Sequence, residues 1–222
     1  NDRITGKIHQ FAPKAQIVHI DIDTSSISRN VHVDVPIVAD ALEAAEKIYE
    51  YAEENEQVAW LKQIEAWKAE HPLTMKNQSK LTPQKIIETI NETFEEAIVV
   101  TDVGQHQMFT TQYLALNEKK KLLTSGGLGT MGYGFPGAIG AKIGNPDVPV
   151  IMISGDGGMQ MNIQEFATAV LQELPVILCV FNNTYLGMVR QWQKLFYGKR
   201  YSMTCLRSGK ACEGKCGTEE CE

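Results

Sequence analysis

Three observations predict an α/β fold with a parallel sheet flanked by helices. Strand-like and helix-like segments alternate along almost the whole chain, the pattern of βαβ units. Hydrophobic residues make up 43% of the sequence, enough for a proper core, which sets disorder aside for most of it. The length of 222 residues suits one large domain, or one domain and part of another.

The elements follow in order. "AQIVHIDID" (15–23) is a β-branched run read as a parallel-type strand. "VPIVADALEAAEKIYEYAEE" reads as an amphipathic helix from about Asp40, with Leu42, Ala45, Ile48 and Tyr49 as its apolar positions. "EQVAWLKQIEAWKAEHP" (56–72) keeps the helical register but is strongly polar, so it predicts a surface helix or helical linker. A second unit opens at Thr82, a good N-cap, with Pro83 in the first helical position. After that helix come a strand over 97–104, a helix in "QHQMFTTQYLAL", a short strand "KKLLTS", and a Gly-rich stretch that becomes helical. "VPVIMIS" is a strand, "MNIQEFATAVLQE" a helix and "PVILCVFN" a strand.

The last βαβ unit carries the chemistry. Parallel strands put their C-terminal ends on one edge of the sheet, where ligands of open α/β sheets bind. Asp156 follows the first strand and Asn183 the second, so residues far apart in sequence can face one pocket. A carboxylate oxygen, an amide oxygen and a backbone carbonyl form a hard-cation set suited to Mg²⁺ or Ca²⁺. Mg²⁺ keeps positions open for phosphate oxygens, and Gly155, Gly157 and Gly158 allow a phosphate to approach the backbone. The unit therefore reads as a clamp for a metal-bridged diphosphate. The plainer reading is that Gly-Asp-Gly and Asn-Asn are two ordinary turns.

Upstream, "GLGTMG" (127–132) is a literal G-x-G-x-x-G between a strand and a helix, the dinucleotide fingerprint. A nicotinamide-dependent oxidoreductase is the reading it would support, with Asp147 or Asp156 as the ribose acid. That reading leaves Asn182, Asn183 and "DVGQHQ" without a role. The formal net charge of −6 argues against a general nucleic-acid binder. No apolar run reaches the ~18–20 residues a bilayer requires, and the opening "NDRITGKIHQ" has no signal-like apolar stretch, so a cytoplasmic protein is expected.

The neighbours of the clamp sharpen it. "DVGQHQMF", "TSGGLGTMGYGFPGAIGAKIG", "GDGG", "NNTYLGMVRQWQKLFYGKRYS" and the opening "NDRITGK…IVHIDID" together resemble the catalytic subunit of the acetolactate synthase (acetohydroxyacid synthase) family of thiamine-diphosphate enzymes. The resemblance covers nearly all of residues 1–204. It implies the diphosphate domain of the thiamine-diphosphate-binding fold, plus the C-terminal part of a Rossmann-like central domain. The implied division is 1–54 for the central FAD-binding domain, 55–80 for a helical linker, 81–204 for the diphosphate-binding domain and 205–222 for a Cys-rich tail. On the residues that match, Asp156 and Asn183 would bind Mg²⁺ through side chains, and Tyr185 through its carbonyl. Gln105, His106, Gly129, Met131, Gly157, Gly158, Gly187 and Met188 would line the thiamine-diphosphate site, with Met131 holding the cofactor bent. Trp192 would stand at the substrate entrance. Asp2, Asp21 and Ile22 would contact FAD.

The implied activity is carboligation of pyruvate with a second 2-oxo acid, pyruvate or 2-oxobutyrate. It gives 2-acetolactate or 2-aceto-2-hydroxybutyrate on the way to valine and isoleucine. The family's activating glutamate lies in a pyrimidine-binding domain to which nothing here corresponds. No catalytic residue is therefore expected within these 222 residues, and this polypeptide alone is expected to lack synthase activity. A homodimer or tetramer is implied, with room for a regulatory small subunit. The alternatives are another thiamine-diphosphate enzyme, such as a pyruvate oxidase or 2-oxo-acid decarboxylase, or an inactive cofactor-binding fragment.

The tail "CLRSGKACEGKCGTEECE" departs from the family pattern. Its Cys205, Cys212, Cys216 and Cys221 could hold a metal, but their spacing fits no zinc or iron–sulfur signature. A flexible insertion with free thiols is the reading preferred there. Cys179, inside "VILCVF", reads as a small buried hydrophobe.

Overall fold

A computed structural model describes residues 6–54, 56–75 and 80–207. The chain divides into two compact units, Asn1–Glu70 and His71–Glu222. Asp2, Cys212, Cys216 and Cys221 lie outside the described residues.

In the first unit, strands β1 (Val18–Asp21) and β2 (Val35–Val38) pair in parallel, with Val18 opposite Val35 and Asp21 opposite Val38. Strand β2 corrects the sequence reading, which took this stretch only as the approach to a helix. Pro36 lacks an N–H, but it sits on a two-stranded sheet where only one side is paired. Helix α1 (Ala41–Tyr51) begins where Asp40 predicts, since the Asp40 carboxylate accepts from the Leu42 amide at 2.8 Å. Its expected apolar face is not buried within this unit. Leu42, Ile48 and Tyr49 are exposed, and Ala44 is its one buried residue. Helix α2 (Val58–Glu70) has no buried residue, matching its polar sequence; Trp60 and Trp67 pack edge to face 5.5 Å apart.

The second unit is built on a four-stranded parallel sheet in the order β4-β3-β5-β6. The strands are β3 (Ala97–Thr101), β4 (Lys120–Thr124), β5 (Val150–Gly155) and β6 (Val176–Phe181). The helices are α3 (Pro83–Thr93), α4 (Gln105–Tyr113), α5 (Gly134–Gly144), α6 (Asp156–Met161), α7 (Phe166–Leu171) and α8 (Gly187–Phe196). Thr82 caps α3 by accepting from the Lys85 amide at 3.2 Å. Both central strands are buried on both faces, as helices on each side require. Alternate residues serve opposite cores. Ile98, Val100, Val150 and Met152 pack with Phe135, Ala138 and Ile139 of α5 and with Met159 and Ala169. Ala97, Val99, Ile151 and Ile153 pack with Ile90 of α3 on the other face.

One element differs from the sequence reading. The single helix expected over "MNIQEFATAVLQE" starts at Asp156 and breaks at Asn162, resuming as α7 after a 3₁₀ turn at Ile163–Glu165. Asn162 leaves helical geometry at φ −132°, and its side-chain amide donates instead to the Gly132 carbonyl at 2.7 Å. No helix among the described residues is long and apolar enough to cross a membrane.

Candidate functional site

The register of β5 and β6 sets the site. Gly155 pairs with Phe181, so both strands end level and Asp156 and Asn182–Asn183 leave the same edge together. Strand β3 ends beside them: the Asp102 amide donates to the Ile153 carbonyl at 2.9 Å. A cavity of about 640 Å³ opens at this edge. Gln105, His106, Gly129, Met131, Asp156, Gly157, Gly158, Asn183, Tyr185, Gly187 and Met188, all candidates from the sequence, line it. Phe109, Val180, Leu186 and Val189 supply apolar wall.

Two buried side-chain atoms among the described residues lack any hydrogen-bond partner: His106 Nε2 and Asp156 Oδ1. Both belong to residues of this cavity. A buried carboxylate oxygen left unsatisfied costs roughly 1–3 kcal/mol or more, so its retention points to a partner that binds there. Asn183 is held in place by its own turn, its Oδ1 accepting from the Tyr185 amide at 2.9 Å. An amide oxygen has two lone pairs, so this bond leaves one for a second partner. The Tyr185 loop is strapped by the segment at Thr204–Leu206. Leu186 N donates to Thr204 O and Leu206 N to Thr184 O, each at 2.8 Å. Asp156, Asn183 and Tyr185 thus line one cavity, and a carboxylate oxygen, an amide oxygen and a backbone carbonyl are donor types that fit Mg²⁺. The described residues hold no cluster of three or more His, Cys, Asp or Glu side chains.

His106 lines the cavity and is itself buried. Burial pushes its imidazole below the ordinary histidine value, against the opposing pull of the Asp102 charge, a hydrogen bond to the Asp102 backbone and the Asp156 charge. Burial thus favours the neutral ring. Gly104 must be glycine to admit it: a Cβ there would stand 2.7 Å from His106 Cε1, and the backbone, at φ +156° and ψ −163°, is nearly glycine-only.

Two amides of the "GLGTMG" loop (127–132) are taken up inside the protein: Thr130 N donates to Ser125 Oγ at 3.1 Å and Gly132 N to the Asp102 carboxylate. Gly132 and Gly134 donate to the buried Asp102 carboxylate at 2.8–3.1 Å. The last glycine of the motif, Gly132, thus serves an anion that belongs to the protein, which counts against the dinucleotide reading. Asp102 carries no role in the sequence reading, although it opens "DVGQHQ". An acid directly after an apolar strand and before a glycine was the available signal.

Trp192 lies outside the main cavity. It packs in a tilted contact against Phe196, ring centroids 5.2 Å apart, and, with Met188, Val189, Gln193, Tyr197 and Arg200, lines a neighbouring cleft of about 610 Å³. Met188 borders both spaces. Arg190 of α8 is sandwiched between the Tyr185 and Tyr201 rings, at 4.5 and 3.9 Å from their centroids. In the first unit, the Asp21 carboxylate accepts from the Asp23 amide at 2.9 Å at the end of β1, and Ile22 is 75% exposed.

Comparison with known proteins bears on this geometry. The model of the C-terminal thiamine-pyrophosphate-binding domain of thiamine pyrophosphate enzymes matches residues 102–212, half of the chain. The chain belongs to the thiamine pyrophosphate enzyme family. The model of that family's central domain matches residues 1–48. Among similar curated proteins are the acetolactate synthase large subunit of Cyanidium caldarium and acetolactate synthase isozyme 3 large subunit of Escherichia coli (strain K12). The first is 43% identical over 218 residues, covering 95% of this chain and 37% of that protein. The second is 43% identical over 217 residues, covering 94% and 38%. The acetolactate synthase large subunit of Porphyra purpurea is 41% identical over 216 residues, covering 94% and 36%. The chain thus spans little more than a third of the length of the curated relatives it matches.

Proposed function

We propose that this chain carries the diphosphate-binding part of an acetolactate synthase large subunit, which joins pyruvate to a second 2-oxo acid with thiamine diphosphate and Mg²⁺. Identities of 41–43% over 94–95% of the chain to proteins of that name support the activity. The observation that carries the cofactor reading is the unpartnered, buried Asp156 Oδ1 in a cavity that also holds Asn183 and Tyr185. Thiamine diphosphate, when bound, supplies the carbanion chemistry that makes a 2-oxo acid a nucleophile.

The chain's own residues do the holding. Asp156, Asn183 and the Tyr185 carbonyl would fix the cation that bridges to the diphosphate, while Gly157 and Gly158 let the diphosphate approach the backbone. Met131 and the apolar wall exclude water and shape the cavity around the ring system. Neutral His106 offers an uncharged nitrogen beside it. Trp192, in the cleft that shares Met188, would guide substrate in. The first unit, with Asp21 and Ile22 at the end of β1, would contribute to an FAD site. Assembly as a homodimer or tetramer, and association with a regulatory small subunit, belong to the same reading.

The test is calorimetric titration of the chain with thiamine diphosphate, with and without Mg²⁺. Binding should require Mg²⁺, and Asp156→Ala should lose it while keeping the wild-type melting temperature. Unchanged affinity in Asp156→Ala would overturn the metal assignment. Product analysis of the enzyme that contains this chain separates a synthase from a decarboxylase: free aldehyde in place of acetolactate would contradict the synthase reading.

A further inference from the structure

Asp102 is fully buried, and backbone amides hold its charge. Its Oδ1 accepts from Val103 N at 2.8 Å and Gly132 N at 3.1 Å; its Oδ2 accepts from Gly132 N at 2.9 Å and Gly134 N at 2.8 Å. The main chain of Asp102 is fixed in turn by its bond to Ile153 of β5. Three glycines make the arrangement possible. Gly132 takes a left-handed φ of +89°. A Cβ on Gly134 would stand 2.9 Å from the Asp102 amide nitrogen, and one on Gly158 would overlap the carboxylate itself. Asn162 holds Gly132 from the other side. The loop between β4 and α5 is therefore pinned at the residue next to Met131, and Met131 and Gly129 are its two residues lining the cavity.

We propose that Asp102 is a positioning residue for cofactor binding: its carboxylate fixes the loop that presents Gly129 and Met131, and Gly158 at the start of α6 is seated against the same carboxylate. This rests on the thiamine-diphosphate reading above. The chemistry requires a carboxylate. Two oxygens with four lone-pair sites meet three converging N–H donors, whereas an asparagine of the same shape has one oxygen and would turn its NH₂ toward a donor. Asp102→Asn therefore changes the hydrogen bonding of the loop and leaves the volume of the core unchanged.

The experiment uses the 222-residue chain and its Asp102→Asn and Asn162→Ala variants. Thiamine diphosphate affinity is measured by calorimetry in Mg²⁺, and amide exchange of the cofactor-free chains by mass spectrometry. Asp102→Asn should bind thiamine diphosphate at least about tenfold more weakly, the loss expected for a hydrogen bond to a charged group, with faster exchange confined to residues 126–134. Asn162→Ala should act in the same direction and less strongly. Wild-type affinity in Asp102→Asn would overturn the inference. So would faster exchange spread through β3 and β5, which would make Asp102 a residue of the fold alone. A wild-type chain that binds no thiamine diphosphate would instead sink the proposed function, and this inference with it.

Discussion

Replacing Gly158 by alanine puts one methyl group against a group that cannot retreat. The added Cβ would meet the Asp102 carboxylate, with Cγ at 2.8 Å and Ser154 Oγ at 3.2 Å. To make room, the carboxylate must give up at least one of its bonds to Val103, Gly132 or Gly134. A lost hydrogen bond to a charged group costs about 1.5–3 kcal/mol, and overpacking a tight site about 1–3 kcal/mol more. Against this, alanine in a helix is better than glycine by about 1 kcal/mol. The net loss is about 1.5–5 kcal/mol, or about 3–20 °C in Tm for a unit of this size. Gly140 is the control: it lies in α5, exposed, with nothing within 4 Å of an added Cβ. Gly140→Ala should gain up to about 1 kcal/mol from helix propensity alone. Thermal melts of the two variants, followed by far-ultraviolet circular dichroism, should move in opposite directions. If Gly158→Ala melts no lower than wild type, the Asp102 carboxylate is not held as described, and the reasoning fails.

Other outcomes follow from the same structure. His106 has a folded pKa below its ordinary 6.5, because burial outweighs its acidic neighbours. The unfolded chain therefore binds its proton more readily. The associated stability is complete above that ordinary value and is lost as the pH falls from there through the depressed one. Urea midpoints of the cofactor-free chain should drop over that window, and His106→Gln should flatten the slope; an unchanged slope would reject the assignment. Thr82→Ala removes the cap of α3 and should cost about 1 kcal/mol, read as a shift in urea midpoint at constant m-value. Burial raises the Cys179 thiol above its ordinary value, so its peptide should resist alkylation at neutral pH until the chain is unfolded. Rapid labelling of Cys179 in the native chain would contradict its place against Ile153 in the sheet.

Much of the site is legible in the order of the residues alone. Parallel strands share an edge whatever the loops do, so Asp156 and Asn183 had to emerge side by side once both apolar runs were strands. The cavity residues named from the resemblance meet in one space for the same reason: each lies at or just beyond the C-terminal end of a strand, or on the helix that follows. The cap at Thr82 and Pro83, and the N-cap at Asp40, are local chemistry and read directly from neighbours in sequence.

What the sequence left open depends on contacts between distant residues. Strand β2 is four residues long with a proline inside it, and only its pairing to β1 makes it a strand. Nothing local breaks the helix at Asn162, whose partner is Gly132, 30 positions earlier. The glycine loop at 127–132 has the pattern of a phosphate binder; tertiary structure turns its last glycine, Gly132, to Asp102, from 30 residues upstream. Local order and strand polarity are fixed by nearest-neighbour sterics and hydrophobic pattern, so the sequence alone determined the α/β architecture and the shared edge where β5 and β6 end. Where each buried charge finds its hydrogen bonds is a three-dimensional question, and only the folded chain decided that the glycine loop serves an internal carboxylate while Asp156 keeps an oxygen for something else.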